Sequence, residues 1–170
     1  MGLGIEKKEK KVFLNLNNGK VERTSNGRKE QFSYIEGNLL KIYDYERTFN
    51  GQKSKYWYID MIDEEGVVYA IGFGYESGLF KTIVLSLASD DTITKDSVIR
   101  LEPYIKGGYT KAVVWNEGVK LDWVVREMPP LKEIKIGNRI IKDDTERMNF
   151  ICKCVDDING RIKYSNKVNK

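Results

Sequence analysis

Apolar and polar residues alternate through most of the chain, and that alternation predicts strands. Val12-Phe13-Leu14-Asn15-Leu16 reads as one strand, and Lys20-Val21-Glu22-Arg23 returns across Asn17-Asn18-Gly19 as the second arm of a hairpin. Thr24 to Lys29 is polar and reads as a loop. Phe32 to Phe49 is a long β stretch carrying Ile35, Leu39, Leu40, Ile42, Tyr43 and Tyr45, with Gly37 inside it as the mark of a bulge or bend. Asn50-Gly51-Gln52 is the next turn. Lys53 to Ile62 alternates cleanly, with Trp57, Ile59 and Met61 on one face and Ser54, Tyr56, Tyr58 and Asp60 on the other. Asp63-Glu64-Glu65-Gly66 is a hairpin loop and Val67 to Phe73 the returning strand.

The period then changes. Leu79 to Ala88 is apolar on nearly every side, with Lys81 its only charge, and Ser77 is placed to cap it as a buried helix. Strands resume at Ser97–Tyr104, Thr110–Trp115 and Val119–Val125, and Pro129-Pro130 ends the ladder. A second helix, about 143–159, is predicted from the Asp143/Glu146 pair and the stripe Met148, Ile151, Cys152, Val155, Ile158, with Gly160 as its stop. That stripe suits packing on the chain's own barrel or on a second protomer as a homodimer. Three strands, a helix, then two strands is the order of the OB-fold. The expectation is a mainly β protein: a five-stranded Greek-key barrel over residues 31–126 with a helix between strands three and four. A basic N-terminal segment with a hairpin (1–30) and an extension with the second helix and a basic tail (127–170) flank it.

Composition narrows the chemistry. The 170 residues include no histidine, which removes Ser-His and Cys-His nucleophile pairs and imidazole metal ligands. Cys152 and Cys154, two apart on a helix, point to different faces, so neither zinc nor a disulfide framework is expected, and no cofactor is predicted. The net charge of +4 is uneven: residues 1–30 carry eight basic and four acidic side chains, and residues 158–170 four basic and none acidic, leaving the middle at −4. The ends read as solubilising termini or as arms for a polyanion. No stretch reaches the roughly 20 apolar residues of a membrane span, and Met1 to Glu6 lacks a signal peptide's apolar run. A cytoplasmic protein is the expectation.

Three constellations could carry function. The face an OB-fold presents to oligonucleotides would carry Arg47, Lys53, Lys55, Tyr56, Tyr58 and Tyr69, with Lys106, Tyr109 and Lys111 on the far loop. Interleaved aromatics and cations suit single strands: bases stack on the rings and the cations track the phosphates. Against this, strands are Tyr-rich for packing reasons alone. Trp57, Trp115 and Trp123 read as core. Gly72-Phe73-Gly74-Tyr75-Glu76-Ser77-Gly78 resembles a dinucleotide fingerprint with its third glycine displaced, and a bend with a helix cap is the better reading. Asp122 with Glu133-Ile134-Lys135 is the candidate for a metal-dependent nuclease, the enzyme alternative to a binding protein. A protein-binding structural or adaptor barrel is a third class.

Phe13-Leu14-Asn15 through Asn18-Gly19-Lys20, Glu30 to Gly37, Asp63-Glu64-Glu65-Gly66, Tyr75-Glu76-Ser77-Gly78, Leu101-Glu102-Pro103-Tyr104 and Val119 to Trp123 together carry a resemblance. Over about residues 12–125 the chain resembles the bacteriophage and prophage single-stranded DNA-binding proteins found in phages of gut Bacteroidetes-type hosts. The resemblance implies an OB-fold that coats single-stranded DNA in replication or recombination, in a bacterial host cytoplasm, without catalytic residues. It does not extend to the acidic tail by which many such proteins recruit partners, since Lys163 to Lys170 is basic.

Overall fold

Among the described residues, four two-residue hairpin turns have both central residues at positive φ. The turns are Asn18-Gly19, Asn50-Gly51, Gly107-Gly108 and Glu117-Gly118; at Asn50 and Gly51 φ is 52° and 77°. Such turns match the right-handed twist of the strands they join, so they fix register. A computed structural model describes residues 11–25, 27–121, 132–137, 139–143 and 145–168.

The strands are β1 (Val12–Asn17), β2 (Lys20–Ser25), β3 (Arg28–Phe32), β4 (Ile35–Phe49), β5 (Gln52–Ile62), β6 (Val68–Gly74), β7 (Val98–Lys106), β8 (Tyr109–Asn116), β9 (Val119–Leu121), β10 (Lys132–Ile136) and β11 (Arg139–Asp143). Helix α1 (Gly78–Ala88) lies between β6 and β7 in sequence, and α2 (Thr145–Val168) follows β11. The protein is mainly β. Nine strands form one mixed sheet in the order β3-β2-β1-β6-β5-β4-β7-β8-β9, and β10-β11 stand apart as a two-stranded sheet. Among the described residues, β1 and β6 are the one parallel pair.

The sheet is longer than the five strands expected, and its ladder does not close into a barrel. Two local features account for the difference. The N-terminal hairpin is part of the sheet, because β1 pairs with β6. The segment read as a loop at Thr24–Lys29 instead turns directly into β3, whose Arg28–Phe32 pairs with β2.

β4 is the organising strand. Its start pairs with β7 (Ile35 opposite Leu101) and its remainder with β5 (Tyr43 opposite Tyr58), with a register shift between Leu39 and Lys41. Gly37 is required at the bend, since a Cβ there would fall 2.5 Å from the Ile62 carbonyl oxygen.

The core lies on one face of this sheet, under the helices. Leu39, Ile42, Ile59, Met61, Ile71, Phe80, Ile83 and Leu87 are fully buried. Ser77 caps α1 by accepting the Phe80 N–H at 3.2 Å. Trp57 stacks between Tyr75 (5.5 Å) and Phe80 (4.8 Å), in the core as expected. Met148, Ile151, Val155 and Ile158 of α2 are buried within the same chain, where α2 packs on α1 and β4. The helix does not stop at Gly160 but runs to Val168, so Arg161 and Lys163 are helical. Asp143, read as part of a capping box, is instead the last residue of β11.

Candidate functional site

The other face of the sheet is where aromatic and charged side chains collect. Alternation along β4 and the register set by Asn50-Gly51 place Lys41, Tyr43, Tyr45 and Arg47 opposite Asp60, Tyr58, Tyr56 and Ser54. β6 adds Ala70, Gly72 and Gly74 to the same face, opposite Asp60, Tyr58 and Tyr56. β1 adds Phe13 and Asn15, opposite Ala70 and Gly72. Trp57 and Phe73, of the opposite parity, face Phe80 of α1.

Tyr58 is the hub. It is 9% exposed, stacked on Tyr43 at 5.6 Å between ring centroids, and met edge-on by Phe13 and Tyr45, each at 6.3 Å. Phe13 and Tyr45 are 57% and 51% exposed, so their rings are the ones open to a ligand. Arg47 Nη2 donates to the Tyr58 hydroxyl at 3.2 Å, and its guanidinium lies 5.8 Å from the Tyr45 ring and 5.7 Å from the Tyr56 ring. Lys41 Nζ sits 4.5 Å from the Tyr43 ring. Two hollows of about 340 Å³ each share Phe13, Arg47 and Tyr58 as walls.

Beneath this surface Asp60 is 1% exposed. Lys11 Nζ bonds its Oδ2 at 2.9 Å, and the Tyr43 hydroxyl donates to its Oδ1 at 3.1 Å. A buried carboxylate needs such partners. The hydrogen bond to Asp60 holds the Lys11 ammonium above its ordinary range, outweighing desolvation. Burial, with the Asp60 charge, pushes the Tyr43 phenol up. Lys41 and Arg47 remain as cations turned to the surface.

The structure brings three of the residues expected from the sequence into this site: Arg47, Tyr56 and Tyr58. It separates the others. Lys53 and Lys55 share the parity of Trp57 and lie on the opposite face, Lys53 at 3.8 Å from Glu46 and Lys55 with Nζ 5.3 Å from the Tyr75 ring. Tyr69 pairs with Met61 on that same inner parity, and its hydroxyl donates to Asp63 Oδ2 at 2.9 Å. Lys106, Tyr109 and Lys111 lie at the β7–β8 tip. There Thr110 Oγ1 accepts the Gly19 N–H at 3.2 Å, so the tip meets the β1–β2 turn and not the aromatic cluster. Lys11, Phe13, Lys41, Tyr43 and Tyr45 were missed. The signal for three of them was present: Lys41, Tyr43, Tyr45 and Arg47 recur at period two and mirror Tyr56 and Tyr58 across the turn.

Gly72 to Gly78 is the end of β6 and the cap of α1, beside an antiparallel β5, which does not fit a dinucleotide fold. Cys152 is half-buried and Cys154 buried, and no metal-binding group of residues occurs among the described residues. Of the nuclease candidates, Asp122 and the side chains of Glu133 and Lys135 lie outside the described residues, as does Trp123. No helix among the described residues is long and apolar enough to cross a membrane. The chain matches no protein-family model, no curated protein and no solved structure.

Proposed function

We propose that the protein binds single-stranded DNA, with RNA as the second ligand to test, on the aromatic face of β4, β5, β6 and β1. The observation that carries the reading is the cluster of Tyr43, Tyr45, Tyr56, Tyr58 and Phe13 around the Arg47 guanidinium. Open rings offer bases a flat, sequence-tolerant surface, and Arg47 and Lys41 supply charge for the phosphates between them. Such a protein coats or presents strands, as in replication or recombination, and catalyses nothing.

The topology supports the same reading. Within the sheet, β6-β5-β4-β7-β8 with α1 between β6 and β7 is the strand order of an OB-fold opened at the seam between its third and fifth strands. In this account the β1–β2 hairpin fills the seam, through the β1–β6 ladder on one side and the Gly19–Thr110 bond on the other. The aromatic rings then stand on the first and second barrel strands, β4 and β5, and the glycines of the third, β6, lie beside them, so the face adjoins the surface of the second and third strands where such folds hold oligonucleotides.

The test is a fluorescence anisotropy titration of labelled oligo-dT at rising salt, with duplex DNA, RNA and magnesium-containing arms alongside. The expected result is tight binding of single strands and a linear fall of log affinity with log salt as counterions are released. A flat salt response, equal affinity for duplex, or cleavage of the DNA with magnesium overturns the proposal.

A further inference from the structure

Past the rings, the same face continues over β6, β1 and β2 and changes character. Gly72 and Gly74 leave a trough: a Cβ on Gly72 would meet Tyr58 Cε1 at 3.1 Å, and one on Gly74 would meet nothing within 4 Å. The hollow beside Tyr56 and Tyr58 shares Asn15, Gly72 and Gly74 with a neighbouring hollow of about 400 Å³, which adds Asn17, Glu22 and Lys29.

Glu22 sets the chemistry there. It lies opposite Asn15 in the β1–β2 register and is 6% exposed. Its Oε2 accepts Gln31 Nε2 at 3.0 Å. Among the described residues, Oε1 receives no hydrogen bond and no cation pairs with the carboxylate. A desolvated carboxylate accepts only, so it favours a ligand that brings N–H donors and disfavours phosphate. Guanine is the nucleobase whose Watson–Crick edge places two donors, N1–H and N2–H, side by side. Adenine and cytosine set a donor next to an acceptor, and thymine flanks its one donor with two carbonyls. The Asn15 and Asn17 carboxamides on the same wall carry donors suited to guanine O6.

We propose that this hollow is a guanine subsite at the end of the aromatic track, with Glu22 as the group that reads the base. The proposal rests on the single-strand reading above and adds to it one position of base preference.

Anisotropy titrations of the full chain with T-run oligonucleotides carrying one central guanine, inosine or adenine test it. A carboxylate bonded to two base donors predicts about fivefold or tighter binding of the guanine strand over the all-T strand. Inosine, which lacks the N2 amino group, should lose most of that gain, and adenine should show none. In Glu22→Gln the guanine-to-thymine ratio should fall to about one, with thermal melting to establish that the variant folds. Equal affinity for all four strands, inosine matching guanine, or a ratio preserved in Glu22→Gln overturns the guanine subsite while leaving the oligo-dT result to stand. Failure to bind any strand at low salt overturns the reading beneath it. Displacement of the guanine strand by equimolar free guanosine monophosphate assigns the hollow to the nucleotide and overturns the strand-bound form.

Discussion

Asn159 of α2 completes the backbone of β4 at Ile42: its Nδ2 donates to the Ile42 carbonyl at 2.7 Å, and its Oδ1 accepts the Ile42 N–H at 2.9 Å. β5 pairs with β4 at Ile42, but β7 pairs with β4 only from Ile35 to Asn38, so the other edge of β4 has no strand beside it at Ile42, next to the segment that carries Tyr43 and Tyr45. A carboxamide has one donor group and one acceptor in the geometry of a peptide, so it stands in for the missing strand neighbour. The helix is thereby tied to the back of the aromatic face.

Removing that side chain leaves a part-buried N–H and C=O without partners. Asn159→Ala should destabilise the fold by about 2 kcal/mol, within the range for orphaned buried polar groups. Chemical denaturation should show a lower midpoint with an unchanged slope. An unchanged midpoint would mean that water replaces the carboxamide without loss.

Arg161 carries a second prediction. By charge it belongs with the basic C-terminal residues, but its Nη1 donates to the Ala88 carbonyl at 3.1 Å and the Asp90 carbonyl at 3.0 Å. It satisfies carbonyls at the end of α1, where a cation also complements the helix dipole. Arg161→Ala should therefore lower thermal stability and leave the salt slope of oligonucleotide binding unchanged. A phosphate contact would instead reduce that slope by about one, so a slope that falls would return Arg161 to the role of a binding arm.

These two residues also mark where sequence reading stops. Strands meeting at Asn18-Gly19, Asn50-Gly51, Gly107-Gly108 and Glu117-Gly118 were legible, as were the capped apolar α1 and the parity of Trp57 against Tyr56 and Tyr58, because each depends on local periodicity, whereas the start of β3, across the turn at Gly27, was read as loop. The β1–β6 pairing joins segments more than fifty residues apart, and nothing in either segment names its partner. Lys53 and Lys55 were assigned to the site by their neighbourhood in sequence, although alternation already places them opposite Tyr56. Gly160 looked like a helix stop, but the Asn159 and Arg161 bonds and the burial of Ile162 hold α2 through it, against a cost of about 1 kcal/mol for glycine in a helix. Phe13 could join the site only once β1 had found β6.

Asp63 predicts part of the acid sensitivity. Burial acts to raise its pKa, but the Val67 N–H, the Tyr69 hydroxyl and the Glu65 and Gly66 N–H groups outweigh it and hold the carboxyl below its ordinary 3.8. A folded-state pKa below the unfolded value adds stability that is present above 3.8 and is lost as pH falls from there through the lower folded-state value. Asp63→Asn should thus be less stable than wild type at neutral pH, and the gap should close on acidification below 3.8. A gap independent of pH would place its origin in packing of the β5–β6 loop, not in ionisation.

The two faces of the β4–β5 hairpin offer the sharpest comparison for the proposed binding. Tyr45 presents a half-exposed ring, whereas Lys55 lies over Tyr75 on the opposite face. Tyr45→Ala should weaken oligo-dT binding by about 1 kcal/mol or more, the loss of one stacked base. Tyr58→Phe should weaken it less, because the ring stays and only the hydroxyl that receives Arg47 is removed. Lys55→Ala should change affinity little, although its net charge change equals that of a lost phosphate contact. If Lys55→Ala weakens binding as much as Tyr45→Ala, attraction follows overall charge and the aromatic face is not the binding surface. If only Tyr45→Ala does, the strand lies where Phe13, Tyr45 and Arg47 meet.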